Sequence, residues 1–465
     1  MDKVNHTEIP HLRYNTAMKS RRIRDAFSHI SRAANPIRVI RTAMTKLSRE
    51  RHPYEPLITV EISRSAILHN LAEFSRLIHP DPARGEQASE KKAIVPVLKS
   101  NAYGHGLIPV ASILEKASGI PFFIIDTYFE ALALRRDGIE TPLLIIGYTP
   151  PQTIVENRLR SVSFVVTSID ALRELVDLKK ATGKSRRAKS QPKIHLKIDT
   201  GMHRQGILPE EIDEMLALTK HCTGIIFEGI CSHFASADGA SVEHVAFTET
   251  QIALWNSIVT KVRGAVPTLT WWHVSNTAGK SYEHSIMSNA SRLGIGLYGI
   301  HQDAELSAAI DKQVDIRPAL TMKTIVSGVK NIKKGDHVGY SGTFVAPHDM
   351  TIATIPAGYF EGIDRGLSSK GFVEVTNDTR STLSSTSSPV LCPIIGRVSM
   401  NITTFDVTAL AKETGTNIRR GDTVIVISDD TSRSNSIEQI ARLVGTIPYV
   451  IAIHIPGHLR RVIVD

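Results

Sequence analysis

Lys99 ends an apolar run, Ala93-Ile-Val-Pro-Val-Leu, and opens a stretch of loop formers, Ser100-Asn-Ala-Tyr-Gly-His-Gly. The run, with its two valines, predicts a buried strand. A lysine at the end of such a strand is costly to leave charged. Desolvation lowers its pKa and makes the amine a usable nucleophile. That suits a Schiff base with an aldehyde, of which pyridoxal phosphate is the common biological case. A lysine that merely snorkels at a strand end has the same spacing. Other residues read two ways as well. Lys197 is two residues from Asp199 and suits an ion pair with it or another acid. Arg292 precedes Gly294 and Gly296, as a surface cap does. His233 and Tyr340 read, one at a time, as a satisfied core histidine and as packing.

The elements around these residues are more telling. Leu57-Ile-Thr-Val-Glu-Ile predicts a strand, and Ser65 precedes a helix with an apolar face of Ile67, Leu68, Leu71, Phe74, Leu77 and Ile78. Residues 80 to 92 read as a loop. Eight apolar runs follow, beginning near Ile94, Phe122, Leu143, Val162, Ile194, Ile225, Leu269 and Leu293, with helical or turn-rich stretches between them. The pattern predicts an α/β fold, a TIM-like (β/α)8 barrel, although a doubly wound sheet would alternate in the same way. The residues with chemistry cluster just after these runs, on the face where barrel active sites lie. Lys184-Ser-Arg-Arg-Ala-Lys-Ser is a basic insertion and reads as an exposed loop.

From about Gln313 the pattern becomes one of short alternating strands: Leu320 to Val329, His337 to Phe344, Thr351 to Ile355, Gly371 to Val375, Val390 to Ile395 and Thr423 to Ile427. Helical periodicity is scarce. The expectation is a mostly β C-terminal domain with a loop at Thr379 to Ser388. The domain boundaries expected are a basic extension over 1–55, a barrel over 56–312 and a β domain over 313–465, with the strand 57–62 free to join the β domain.

The chain has 465 residues, 42% hydrophobic and 22% charged, as in ordinary globular proteins. Its net charge of +9 is concentrated partly in the extension and the basic insertion, which weakens the case for a nucleic-acid-binding face. In the extension, apolar clusters such as Ile37-Arg-Val-Ile sit among Arg and Lys. They suit an amphipathic helix on a membrane or acidic partner, a targeting peptide, or a solvated tail. No run approaches a membrane span, and no secretory signal is expected. Cys222, Cys231 and Cys392 are too few and too scattered for a disulfide framework or a zinc site. A cytoplasmic enzyme with no metal is expected.

The lysine segment resembles the cofactor-lysine signature of the alanine racemase family. The resemblance recurs in Lys193-Ile-His-Leu-Lys-Ile-Asp-Thr-Gly-Met-His-Arg, Cys231-Ser-His-Phe-Ala-Ser-Ala-Asp, His273-Val-Ser-Asn-Thr-Ala-Gly, Arg292-Leu-Gly-Ile-Gly-Leu-Tyr-Gly, Gly339-Tyr-Ser-Gly-Thr-Phe, Pro356-Ala-Gly-Tyr-Phe-Glu-Gly, Gly396-Arg-Val-Ser-Met-Asn and Ile447-Pro-Tyr. It implies that Lys99 carries pyridoxal 5′-phosphate. Tyr103, Asn276, Thr277, Tyr449 and the backbone of Gly294 and Ile295 would then hold the phosphate. Arg292 would face the pyridine nitrogen. His233 would bridge it to the catalytic tyrosine. Arg204 and the backbone at Met400 would take the substrate carboxylate, Tyr359 would line the entrance, and Lys197 would orient Arg204, carbamylated as in some members. Tyr340 would be the second base, made acidic by the His233–Arg292 pair. Leu293 stands where proline is usual, and Asn401 where aspartate is. The residues after Tyr449 also diverge.

An arginine does not protonate the ring nitrogen. The ring is then a weak electron sink, which favours return of the proton to the same carbon. The resemblance thus implies a two-base racemase of L- and D-alanine supplying peptidoglycan, a homodimer with shared active sites, and no stable membrane insertion. Rivals are a racemase of serine or a larger amino acid, a barrel-type amino-acid decarboxylase, and a non-catalytic pyridoxal-phosphate carrier.

Overall fold

The computed structural model describes residues 56–78, 92–182, 191–222, 224–301, 314–376, 389–410 and 418–465. The basic extension, most of the loop 80–92, the basic insertion, the 312/313 boundary and the loop Thr379 to Ser388 lie outside the described residues.

The first strand, β1 (Thr59–Ser63), leads into the helix Arg64–Ile78. That helix buries Ile67, Phe74 and Ile78, with Leu68, Leu71 and Leu77 partly buried against the same core. Eight parallel strands come next: β2 (Ala93–Pro96), β3 (Phe123–Ile125), β4 (Leu143–Ile145), β5 (Val162–Val166), β6 (Lys193–Lys197), β7 (Ile226–Cys231), β8 (Trp271–His273) and β9 (Ala290–Leu293). β3 to β8 form one sheet in sequence order, and β2 pairs with β9. Backbone hydrogen bonds close the ring. Leu98 N donates to Ile124 O (2.7 Å) on one side, and Asn289 N to Trp272 O (3.1 Å) on the other. The fold is therefore a (β/α)8 barrel. Several strands are buried on both faces, hence their continuous apolar runs. The eighth run ends at Leu293 rather than beginning there, because Gly294 leads into a 3-10 turn, Ile295–Tyr298.

The C-terminal part is mostly β: β10 (Leu320–Ile325), β11 (Gly328–Ile332), β12 (His337–Val338), β13 (Phe344–Val345), β14 (Met350–Ile355), β15 (Phe372–Thr376), β16 (Val390–Pro393), β17 (Thr403–Asp406), β18 (Thr423–Ile427) and β19 (Arg460–Val464). One sheet has the order β16-β15-β18-β10-β1-β19 and another β11-β14-β17. β1 thus lies antiparallel to β10 and parallel to β19.

Several expectations need correction. Leu320 to Val329 is two strands in different sheets, because Val326 N turns to Asp422 O while Ser327 N turns to Thr354 O. His337 to Phe344 is broken by a 3-10 turn at Tyr340–Gly342, with Gly339 and Gly342 at φ +75° and +53°. Strands β17 and β19 and the helices Ile437–Val444 and Pro448–Ile453 were not anticipated. No helix among the described residues is long and apolar enough to cross a membrane.

Candidate active site

Lys99 begins a turn of unusual hand. Ser100, Asn101, Ala102 and Tyr103 all have φ between 51° and 56°. For L residues this conformation costs roughly 1–2 kcal/mol each. Surrounding contacts hold it. Ala102 N donates to Leu98 O (2.8 Å) and Gly106 N to Asn101 O (2.8 Å). Asn101 Oδ1 accepts from Leu107 N (2.9 Å). Arg461 Nη2 donates to Gly104 O (2.8 Å), tying β19 to the turn. Lys99 is half-buried, not fully buried as the strand reading implied, and lines a cavity of about 620 Å³.

That cavity sits at the C-terminal ends of the barrel strands. It brings together Lys99, Tyr103, Lys197, Arg204, His233, Asn276, Thr277, Arg292, Gly294, Ile295 and Tyr449. The Tyr103 ring lies 5.9 Å from that of Tyr449. Burial pushes the Tyr103 phenol up to about 12, so it remains a protonated donor at neutral pH. Gly294 N donates to Thr277 Oγ1 (3.1 Å), which leaves the Thr277 hydroxyl hydrogen for another acceptor. A Cβ on Gly294 would lie 3.1 Å from Tyr103 Oη and 3.6 Å from Thr277 Oγ1. Asn276 Oδ1 accepts from Gly279 N (2.8 Å), which orients its amide.

Arg292 is buried, and among the described residues none of its hydrogen-bond partners is a carboxylate. Nη1 donates to His273 Nδ1 (2.8 Å) and His273 O (3.0 Å). Nη2 donates to Ser232 O (2.9 Å), His233 Nδ1 (2.9 Å) and Val274 O (2.8 Å). Burial lowers its pKa from the usual arginine value. A guanidinium only donates, so both facing Nδ1 atoms accept, and His233 and His273 carry their protons on Nε2. Burial, followed by the charge of Arg292, holds both histidines well below the usual imidazole pKa. Of the His233–Arg292 pair expected to make Tyr340 acidic, His233 is therefore neutral, and the charge is that of Arg292.

The polar contacts run further than anticipated. His273 Nε2 donates to His195 Nδ1 (3.0 Å), and His195 Nε2 then faces Glu228 Oε2 (3.5 Å). Glu228 also accepts from Ser163 Oγ (2.5 Å) and Lys193 Nζ (2.6 Å). Burial alone would raise its pKa, but these donors outweigh it and hold the carboxyl at about 2. His195 lies inside one matched segment and His273 opens another. Their usable signal is a histidine on each of the two parallel strands, β6 and β8, that flank β7.

Lys197 forms no ion pair with Asp199. The Asp199 carboxylate instead accepts from Gly201 N (2.9 Å) and His203 N (3.1 Å). Burial brings the Lys197 amine down to about 8. Arg204 is exposed at the cavity wall. Tyr340, Tyr359 and Met400 do not line the cavity. They are 69%, 44% and 55% exposed. Tyr359 N donates to Ser399 O (3.0 Å) and Phe360 N to Met400 O (2.9 Å), which places Tyr359 beside Met400. Asn401 Nδ2 donates to Glu361 Oε1 (2.7 Å).

Comparison with known proteins agrees with this architecture. The model "Alanine racemase, N-terminal domain" matches residues 62–302, and "Alanine racemase, C-terminal domain" matches 319–463. The alanine racemase of Syntrophobacter fumaroxidans is 34% identical over 397 residues, which are 84% of this chain and 93% of that protein. Among solved structures, an alanine racemase of Clostridium difficile 630 superposes with TM-score 0.74 at 26% identity, covering 88% of this chain and 96% of that one. A histidine racemase from Leuconostoc mesenteroides superposes with TM-score 0.71 at 26% identity, covering 88% of this chain and 99% of that one. The two models between them span most of residues 62–463, and on that match the chain belongs to the alanine racemase family.

Proposed function

We propose that this chain interconverts L- and D-alanine with pyridoxal 5′-phosphate, and that the D-alanine serves peptidoglycan synthesis in the cytoplasm. The observation that carries the reading is the convergence in one cavity of the Lys99 amine, a hydroxyl-and-glycine cradle and the donor-only Arg292. The cradle fits a phosphate. Tyr103 and Thr277 offer hydroxyls where a Cβ on Gly294 would intrude, and Asn276, Tyr449 and the backbone at Ile295 lie alongside.

When bound, pyridoxal phosphate supplies an electron sink for the pair left on the α-carbon. The protein's groups do the rest. Lys99 holds the cofactor and moves the α proton on one face. Tyr340 does so on the other. Arg292 stays protonated and keeps a hydrogen-bond donor, not a proton source, at the ring nitrogen. Arg204 and the backbone at Met400 bind the substrate carboxylate, Tyr359 narrows the approach, and Lys197 orients Arg204.

Tyr340, Tyr359 and Met400 are exposed outside the cavity formed by their own chain, which supports a homodimer in which each copy completes the other's site. The same reading divides the chain into the barrel, 56–312, and the β domain, 313–465, whose main sheet takes in β1.

A racemisation assay on alanine, serine and histidine, read by chiral chromatography, tests the proposal. Alanine should turn over fastest. Faster turnover of serine or histidine would move the substrate to a larger amino acid, a reading favoured by the likeness to the histidine racemase. Borohydride should fix the cofactor on the Lys99 peptide. A label on Lys197, or a labelled protein with no turnover, overturns the assignment.

A further inference from the structure

A second cavity, of about 450 Å³, opens at the opposite mouth of the barrel. Leu143, Val162 and Lys193, the first residues of β4, β5 and β6, line it, so it lies at the N-terminal ends of the strands. Barrel active sites lie at the other end. We propose that this mouth is a second ligand site, one that takes a small aromatic carboxylate.

Three observations carry the assignment. Arg158 and Arg160 line the cavity, are exposed, and have no ion-pair partner among the described residues. A guanidinium fork matches a carboxylate in both geometry and charge. Phe122 and Trp271 meet edge-on at 5.2 Å in the same cavity, and the half-buried Trp271 offers a ring surface for a planar body. Lys193 adds an ammonium group, held 2.6 Å from Glu228.

The site is wired to the catalytic cavity. His195 lines the mouth, His273 lines the catalytic cavity, and their ring nitrogens are 3.0 Å apart. A bound carboxylate competes with Glu228 for Lys193. Glu228, stripped of that cation, then favours a second proton on His195. With both nitrogens protonated, His195 no longer accepts from His273 Nε2, and the partner of Arg292 Nη1 must reorient. The ligand is therefore an inhibitor that acts at a distance.

The test uses the full-length chain with its cofactor, labelled with 5-fluorotryptophan and titrated with benzoate. Of the ¹⁹F signals of Trp255, Trp271 and Trp272, that of Trp271, identified by Trp271→Phe, should shift saturably. In Arg158→Ala/Arg160→Ala the midpoint should rise by about tenfold or more, as expected on loss of charge-assisted hydrogen bonds. Benzyl alcohol and inorganic phosphate, which have the ring or the charge alone, should not saturate over the same range. Along the same titration kcat for alanine should fall with KM unchanged. The site is overturned if there is no saturable shift, if the double variant keeps its midpoint, or if saturating alanine abolishes the shift. Saturation by phosphate alone overturns the ligand class, and an unchanged kcat overturns the coupling. The NMR measurement needs no turnover, so it stands or falls separately from the racemase reading.

Discussion

His195 Nδ1 lies 3.0 Å from His273 Nε2 inside the barrel, and the contact has one allowed direction. Arg292 can only donate to His273 Nδ1, so His273 must donate onward, and His195 is left to face Glu228. One arginine thereby orders the tautomers of two histidines beyond it.

The order is measurable. Imidazole ¹⁵N spectra at neutral pH should show His195, His233 and His273 all neutral and protonated at Nε2. An Nδ1-protonated form of any of them contradicts the assignment. Glu228→Gln should weaken the order at His195 and also alter acid stability. The Glu228 carboxyl is held at about 2, below its ordinary value of 4.5. Its contribution is therefore complete above about 4.5 and is lost as pH falls toward 2. Urea midpoints of wild type and variant should differ most above pH 5 and converge toward pH 2.

Gly294→Ala should place a methyl group 3.1 Å from Tyr103 Oη and 3.6 Å from Thr277 Oγ1, filling the cradle. The backbone at Gly294 has φ −92° and ψ −114°, outside the regions that L side chains favour, so thermal unfolding is recorded beside the binding measurement. In the folded variant, affinity for pyridoxal phosphate should be reduced by about tenfold or more through the lost space and contacts. Equilibrium dialysis of the cofactor checks this, and unchanged affinity removes the cradle from the phosphate site.

Arg292→Glu tests why racemisation is favoured over transamination. A carboxyl group would offer a proton to the ring nitrogen, where arginine cannot. Racemisation should fall, and pyruvate should form in step with pyridoxamine phosphate, up to one equivalent per site. A variant that racemises normally without pyruvate would remove this role from Arg292. The substitution also loses five hydrogen bonds to Ser232, His233, Val274 and His273, so thermal unfolding must be recorded beside the assay.

Tyr340→Phe should cut racemisation in both directions by roughly 10² or more, the usual share of a positioned acid–base group. Lys99 should still exchange the α proton of D-alanine with deuterium, while exchange from L-alanine nearly vanishes. Mixing this variant with inactive Lys99→Ala should restore some activity, since a heterodimer with shared sites has one intact site. No recovery after confirmed subunit exchange would mean that both bases act within one chain.

The sequence by itself determined the alternation of apolar runs with helical stretches, which a barrel and a doubly wound sheet share, and the candidate residues near the run ends. Runs such as Phe123–Ile125 and Leu143–Ile145 are apolar throughout because parallel barrel strands are buried on both faces, and that pattern survives without any knowledge of partners. Lys99 and His233 stood out as candidates because they follow such runs, whereas Arg292 lies within β9, ahead of the run read from Leu293. The helix Ile437–Val444 had an amphipathic face, with Ile437, Ile440 and Ala441 buried, hidden among strand-like neighbours. What only the tertiary structure decided depends on contacts between residues distant along the chain. The left-handed turn after Lys99 is held in part by Arg461, more than 350 positions away. The charge states of His233 and His273 follow from burial against Arg292, and the path from His195 to Glu228 exists because β6 and β7 are neighbours. Tyr340 was placed in the sequence but not in the cavity. It sits in a turn between two-residue strands on an exposed surface, where local pattern has no hold on position.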